Sequence, residues 1–324
     1  TMQVALGFCV LGLALALTSC LAALALTSIL LGLALSVMTP AAAHLLFRFS
    51  PPQNRNFIFS LKQTGVPLGW ALMALSAPAL TLAFGWEWAL AVVIATAAAI
   101  LIVLQGWRAQ WDDDRSAATA PRQRPFEGLV VLWRYPVLRW LSASSLFLSF
   151  VQFSLGAFTV LMLYEEAGYS LVAAGVMLSL VPVAGVAGRI AWGWIADRSG
   201  DCLGLLVKIS AVTAACCVLT AFVSPAWPAA LTGVLFLAFG ASAVGWNGLF
   251  LAEIAHRSPP GTVSVATGGA MVWNFGGALL GPAAFATAYK LIGSYALTFG
   301  GLTLLAAGGL GCLLLAARAA GKRQ

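Results

Sequence analysis

Charge is what this sequence has least of. Asp, Glu, Lys and Arg make up 8% of the 324 residues, while 61% are hydrophobic and the mean hydropathy is +0.95. Soluble domains carry about 25% charged residues. A chain this apolar cannot cover its own surface in water, so lipid must be the solvent for much of it. Histidine is almost absent too, with only His44 and His256. That scarcity, together with the lack of an acid in the middle of any apolar stretch, leaves little from which to build a nucleophile–base pair, and a membrane-embedded enzyme is disfavoured. No Walker sequence points to a nucleotide-driven pump. The six cysteines show neither CxxC nor Cys/His metal spacing. Cys9, Cys20, Cys216, Cys217 and Cys312 fall in apolar stretches, where a thiol packs as a small hydrophobe, and Cys202 falls at a helix start. No metal and no cofactor is expected.

The few charges that are present cut the chain into pieces of membrane-spanning length. None occurs before Arg48, which leaves room for two helices of about 20 residues each. Single spans fit between Lys62 and Glu87, Glu87 and Arg108, Arg139 and Glu165, and Glu166 and Arg189. The stretch from Ile209 to Ala252 is double, with Ser224-Pro225-Ala226-Trp227-Pro228 as its turn. Two more spans lie between Arg257 and Lys290 and between Lys290 and Arg318, which makes ten. Alternate connections then collect 16 of the 17 Lys and Arg residues on one side, and only Lys290 falls on the other. Basic residues are retained in the cytoplasm during insertion, so both termini are expected there, in a multi-pass plasma-membrane protein. The same rule accounts for the pI of about 9.4, so no nucleic-acid partner is implied.

One polar stretch, about 106–135, holds Asp112-Asp113-Asp114, Pro121 and Pro125 and reads as a linker. It separates four spans in 1–105 from six in 136–324. A weak repeat crosses it. Arg48-Phe49-Ser50-Pro51-Pro52 and Arg257-Ser258-Pro259-Pro260 each end a span, and each precedes a glycine-rich helix. Six spans separate the two tracts, as a duplicated unit requires.

The strongest local pattern is Gly193-Trp194-Ile195-Ala196-Asp197-Arg198-Ser199-Gly200. Gly193 removes a side chain where two helices must approach closely, and Gly200 permits a left-handed cap. Asp197 can face the N-terminus of a neighbouring helix, and Arg198 can pair with it. This pattern resembles the loop signature Gly-x-x-x-Asp-Arg-x-Gly-Arg of the major facilitator superfamily, with Asp201 standing where that family has a basic residue. The motif lies two spans after the linker, as the second copy in that family does. The resemblance implies an all-α, two-bundle carrier whose ten spans correspond to helices 3–12, with two helices and the first motif copy expected upstream. Within that family, Ser60–Gly69 resembles cyanate-transporter-type proteins.

The resemblance further implies a monomer that moves a small solute, with proton or ion coupling left open and a small anion the preferred class. Polar residues inside the cavity-lining and flanking helices are the substrate candidates: Gln152, Trp246, Asn247, Trp273, Asn274, Gln63, Thr64 and His44. An amide in hydrocarbon needs a partner, either a neighbouring helix or a ligand in a wet cavity. Gln152 and Asn247 lead, being mid-span and flanked by aromatics. Arg189 and Lys62 sit at span edges and could attract an anion, but snorkelling to the interface is the expected behaviour of both. No mid-span acid supports proton coupling. A receptor or assembly subunit without transport activity remains the alternative.

Overall fold

A computed structural model describes residues 2–106 and 126–321. Among them every regular element is helical, as it must be where lipid offers the backbone no hydrogen bonds. The helices are α1 (Met2–Ala16), α2 (Leu21–Phe49), α3 (Arg55–Gln63), α4 (Gly65–Phe84) and α5 (Trp86–Gly106). After residues outside the described set come α6 (Glu127–Arg134), α7 (Pro136–Glu165), α8 (Leu171–Ser199) and α9 (Cys202–Thr220). The last four are α10 (Ala229–Ala243), α11 (Asn247–Arg257), α12 (Val263–Ile292) and α13 (Tyr295–Gly321).

Eight described helical segments are long and apolar enough to cross a bilayer, α10 and α11 counting as one. The count of ten from charge spacing would also need Met2–Ala16, an apolar helix of 15 residues, and Gly65–Phe84, of 20. The turns fall where composition puts them. Both Ser-Pro-Pro tracts end their helices in the same way. Ser50 (φ −83°, ψ 131°) and Ser258 (φ −70°, ψ 139°) are extended, the conformation forced on a residue before proline.

Helices α1, α2, α4 and α5 pack among themselves, as do α7–α13. The second group has two apolar layers. One, at the end that carries Arg198, Arg257 and Arg318, is built from Leu138, Leu141, Leu206, Trp246, Phe250 and Ile254. The other, towards Glu166 and Lys290, holds Leu155, Met162, Phe236, Phe239 and Phe299, with Phe158 stacked on Phe285 at 4.4 Å between ring centroids. At the arginine-rich end, called the basic end below, the two groups meet. There α3 packs on α8 and α11, and α2 packs on α12.

Candidate functional site

Two breaks in the helices organise the site. Helix α3 passes into α4 at Thr64, and α10 passes into α11 through Val244–Trp246. Each break frees backbone carbonyls that a continuous helix would have used, and side chains take them. Trp246 Nε1 donates to Ala243 O at 3.0 Å, Trp192 Nε1 to Ala241 O at 2.8 Å, and Arg189 Nε to Val244 O at 3.0 Å. Arg189 Nη1 donates to the carbonyl of Gln63, the last residue of α3. One guanidinium therefore joins the C-terminal ends of two helix segments, where partial negative charge accumulates. Arg189 is 3% exposed, so it does not snorkel as its place near a span edge suggested. Its partners are carbonyls, and among the described residues no carboxylate pairs with it. Lys62 is close enough for the charge of Arg189 to act on it. Its side chain is exposed, and Nζ donates to Gln63 Oε1 at 2.9 Å.

Above that pair lies an amide cluster. Gln152, on α7, accepts through Oε1 from Trp246 Nε1 at 3.2 Å and from Asn247 Nδ2 at 3.0 Å. The two residues favoured from sequence thus meet, and Trp246 joins them. Trp246 is fully buried and sits edge-on to Phe250 at 5.3 Å, whereas Gln152 and Asn247 are each partly open.

Among the described residues, Asn274, Trp273, Gln63 and Thr64 are not joined to this cluster by hydrogen bonds. Asn274 is 7% exposed on α12, and its Nδ2 has no partner. Trp273 packs against the apolar layer of the basic end. Gln63 ends α3 rather than opening a span. Thr64 is buried with its hydroxyl donated to Leu61 O at 2.6 Å, which ties it to the break itself. His44 lies half-buried near the end of α2.

The loop motif forms the seam between the two groups. Asp197 Oδ1 accepts from the backbone N of Asn56 at 3.0 Å and from its Nδ2 at 2.9 Å, and Oδ2 accepts from Phe57 N at 2.8 Å. The carboxylate therefore caps the first turn of α3, across 140 residues of sequence, where helix N–H groups lack partners. Arg198 lies over the Trp194 ring at 4.2 Å instead of bridging to Asp197. Gly200 caps α8 at φ +66°. Asp201, the departure from the family pattern, caps α9 by accepting from Gly204 N at 2.7 Å.

Sequence reasoning missed Ser60, which is fully buried and makes no side-chain hydrogen bond. It is clamped between Gly193 and Gly248. A Cβ on either glycine would lie 2.8 Å from Ser60 Cβ, closer than side chains can stand. Arg55 was missed as well. It closes the end of α2 by donating to Phe47 O at 3.1 Å while lying 3.9 Å over the Phe47 ring, and burial lowers its pKa from the ordinary value. A third omission is Glu166, which caps α13 by accepting from Ala296 N at 2.8 Å and from Tyr295 N.

Comparison with known proteins bears on the family and the fold. The family model for the Major Facilitator Superfamily matches residues 1–282. An uncharacterized MFS-type transporter of Mycobacterium tuberculosis (strain CDC 1551 / Oshkosh) is 29% identical over 231 residues, 68% of this chain and 48% of that protein. This chain thus spans about half the length of the curated relatives it matches. Among solved structures, the MFS transporter FucP in the outward conformation superposes with a TM-score of 0.75 at 15% identity, over 98% of this chain and 82% of that one. The human organic anion transporter MFSD10 (TETRAN) gives 0.73 at 18%, over 96% and 76%. These comparisons do not support the narrower likeness of Ser60–Gly69 to cyanate-transporter-type proteins. They place the chain among membrane transporters rather than membrane-embedded enzymes, and the chain belongs to the Major Facilitator Superfamily.

Proposed function

We propose that this protein is a secondary carrier of a small anionic solute, working by alternating access. Segments 1–105 and 136–324 are the two rocking bodies, and 106–135 is the linker between them. The basic end faces the cytoplasm of a plasma-membrane protein, as the distribution of Lys and Arg requires. Closure at that end, through Asp197, Ser60 and Arg189, supports reading this as the state open to the outside. The outward conformation of FucP, which has the same fold, is in keeping with that reading.

A single observation carries the choice of an anion. Arg189 is nine-tenths buried or more, Lys62 stands beside it, and neither pairs with a carboxylate among the described residues. Two adjacent cations with no acid raise the local potential and attract an anion. Gln152 and Asn247 then offer neutral donors and acceptors nearby, with Asn247 and Arg189 both reaching the Val244 carbonyl and Trp246 fixing the orientation of the glutamine. Solute binding competes for Arg189 with the Gln63 carbonyl and so loosens one bond of the seam. That competition couples occupancy to movement.

The test is flux into proteoliposomes that contain the full-length protein. Carboxylic and inorganic anions should be taken up and neutral sugars should not. Arg189→Gln should abolish uptake, and Gln152→Ala should raise KM. Uptake of a neutral sugar that survives Arg189→Gln would sink the anion reading. No uptake of any solute, with binding retained, would favour a receptor.

A further inference from the structure

Helix α6 falls within the stretch that composition assigns to the linker, and nothing above uses it. One face is buried. Leu132 is 2% exposed, and a Cβ on Gly128 would stand 2.6 Å from Val265 O and 2.8 Å from Gly269 N, so the helix backbone lies directly on α12. The other face carries Val130 and Trp133, which are 64% and 65% exposed, and Phe126, the left-handed cap that precedes the helix, is 76% exposed. Val130 and Trp133 share one helical face at a spacing of three, and Phe126 adds a third exposed apolar side chain at the helix start. Water does not favour three large apolar side chains in a row, but a membrane interface does. The joint to α7 is one residue, Tyr135, followed by Pro136. That short joint holds α6 at the level where α7 enters the bilayer.

Two arginines stand at the end of the stripe. Arg134 is exposed. Arg139, in the first turn of α7, lies 5.4 Å from the Trp133 ring and 5.1 Å from the Trp140 ring. Its Nε is buried with no hydrogen-bond partner, and among the described residues neither arginine pairs with a carboxylate. A cation braced against the last residue of an apolar stripe matches a ligand with a phosphate at one end and acyl chains beside it. We infer that the corner formed by α6 and the start of α7 is a binding site for an anionic phospholipid of the leaflet at the basic end. The stripe lies among the acyl chains, and Arg134 and Arg139 hold the phosphate. A protein seated on the stripe would have to displace the headgroup layer in which α7 fixes it.

Native mass spectrometry of the full-length protein, titrated in detergent with phosphatidylglycerol or phosphatidylcholine, tests the site. The parent should retain phosphatidylglycerol preferentially. Arg134→Gln with Arg139→Gln should weaken that retention about 30-fold, at the strength expected of two basic residues near an anionic surface. The paired Lys variant should keep most of it. Arg318→Gln, at the same end on α13, should bind as the parent does. Equal retention by the double Gln variant, or equal loss in Arg318→Gln, would overturn the site. If the double Gln variant does not survive purification, the parent alone decides, since equal retention of the two lipids overturns the proposal and preference for phosphatidylglycerol supports it. A protein co-purifying on the stripe in place of lipid also counts against it.

Discussion

Adding one methyl group at Gly248 should prise open the seam at the basic end. In the closed state a Cβ at that position would stand 2.8 Å from Ser60 Cβ and closer still to Ser60 Cα. Carbon atoms prefer about 3.5–4.0 Å, so α3 and α11 would have to part by about 1 Å. Ser60 cannot turn aside, because Gly193 closes on its other flank. Overpacking of this kind costs about 1–3 kcal/mol. Under the proposed alternating access it would fall only on the state in which α3 and α11 touch and be relieved once they part. With about 2 kcal/mol as the central value, the ratio of closed to open seams should fall about 30-fold. Single-molecule energy transfer would read this out between dyes on noncanonical side chains at Gln53 and Ser199, which avoids the six native cysteines. The expected result for Gly248→Ala is a longer-distance population that dominates in nanodiscs. Gly311→Ala, where a Cβ meets nothing within 4 Å, should behave as the parent does. A parent-like distance distribution in Gly248→Ala, with thermal stability unchanged, would refute the reasoning, because the clamp would then have yielded without moving the seam.

Asp197→Asn keeps the shape of the α3 cap but removes its charge. It should populate the longer distance several-fold, corresponding to a loss of about 1 kcal/mol, and the same dye pair measures it. Glu166→Gln weakens the cap of α13 within the second group, so it should lower thermal stability by about 1 kcal/mol. It should leave the Gln53–Ser199 distance unchanged. Trp246→Phe removes one of the two donors to Gln152 Oε1 while keeping most of the ring packing. Its expected effect is a rise in KM for the transported anion with little change in protein yield, read by flux in proteoliposomes.

What could be read from sequence follows from how local each cause is. The placement of spans was legible because hydrocarbon thickness forces a charge-free length on each helix. Thr18-Ser19-Cys20, a poor turn signal, nevertheless separates α1 from α2 with Ser19 at φ +53°. The break at Val244–Trp246 was not legible. Ala-Val-Gly-Trp-Asn holds no proline, and the carbonyl freed there is taken by Arg189, 55 residues earlier in the chain. Likewise the motif foretold an aspartate at a helix end, but its partners, Asn56 and Phe57, sit on α3, about 140 residues earlier in the chain. Helix α6 was hidden by length. Eight amphipathic residues behind a run of Asp, Arg and Pro look like linker, and only the backbone contact of Gly128 with α12 makes them a helix with a buried side. Ser60 gave no signal at all, because its role is to be small between two glycines.

The seam is made of contacts that are individually modest and mostly polar. Asp197 contributes hydrogen bonds to two backbone amides and one side-chain amide, Arg189 one to the Gln63 carbonyl, and Ser60 a steric fit. Bonds to a charged group are worth about 1.5–3 kcal/mol each. Turning a two-state balance from 1:99 to 99:1 takes about 5.5 kcal/mol. Losing the three Asp197 bonds and the Arg189 bond together, about 6–12 kcal/mol on that scale, is therefore enough for the whole swing. An apolar seam of similar extent would hold more tightly and could not be addressed by a small ligand. A seam that ends on a guanidinium can be addressed, because an anion offers Arg189 a stronger partner than the Gln63 carbonyl does. Under the proposed function, chemistry that binds the solute and chemistry that holds the basic end shut would meet on one residue, and Arg189→Lys separates them. A lysine keeps the charge that attracts the anion but lacks the fork that reaches Val244 and Gln63 at once. Anion binding should persist in Arg189→Lys while the Gln53–Ser199 distance no longer responds to the anion. A distance that still responds would place the coupling elsewhere.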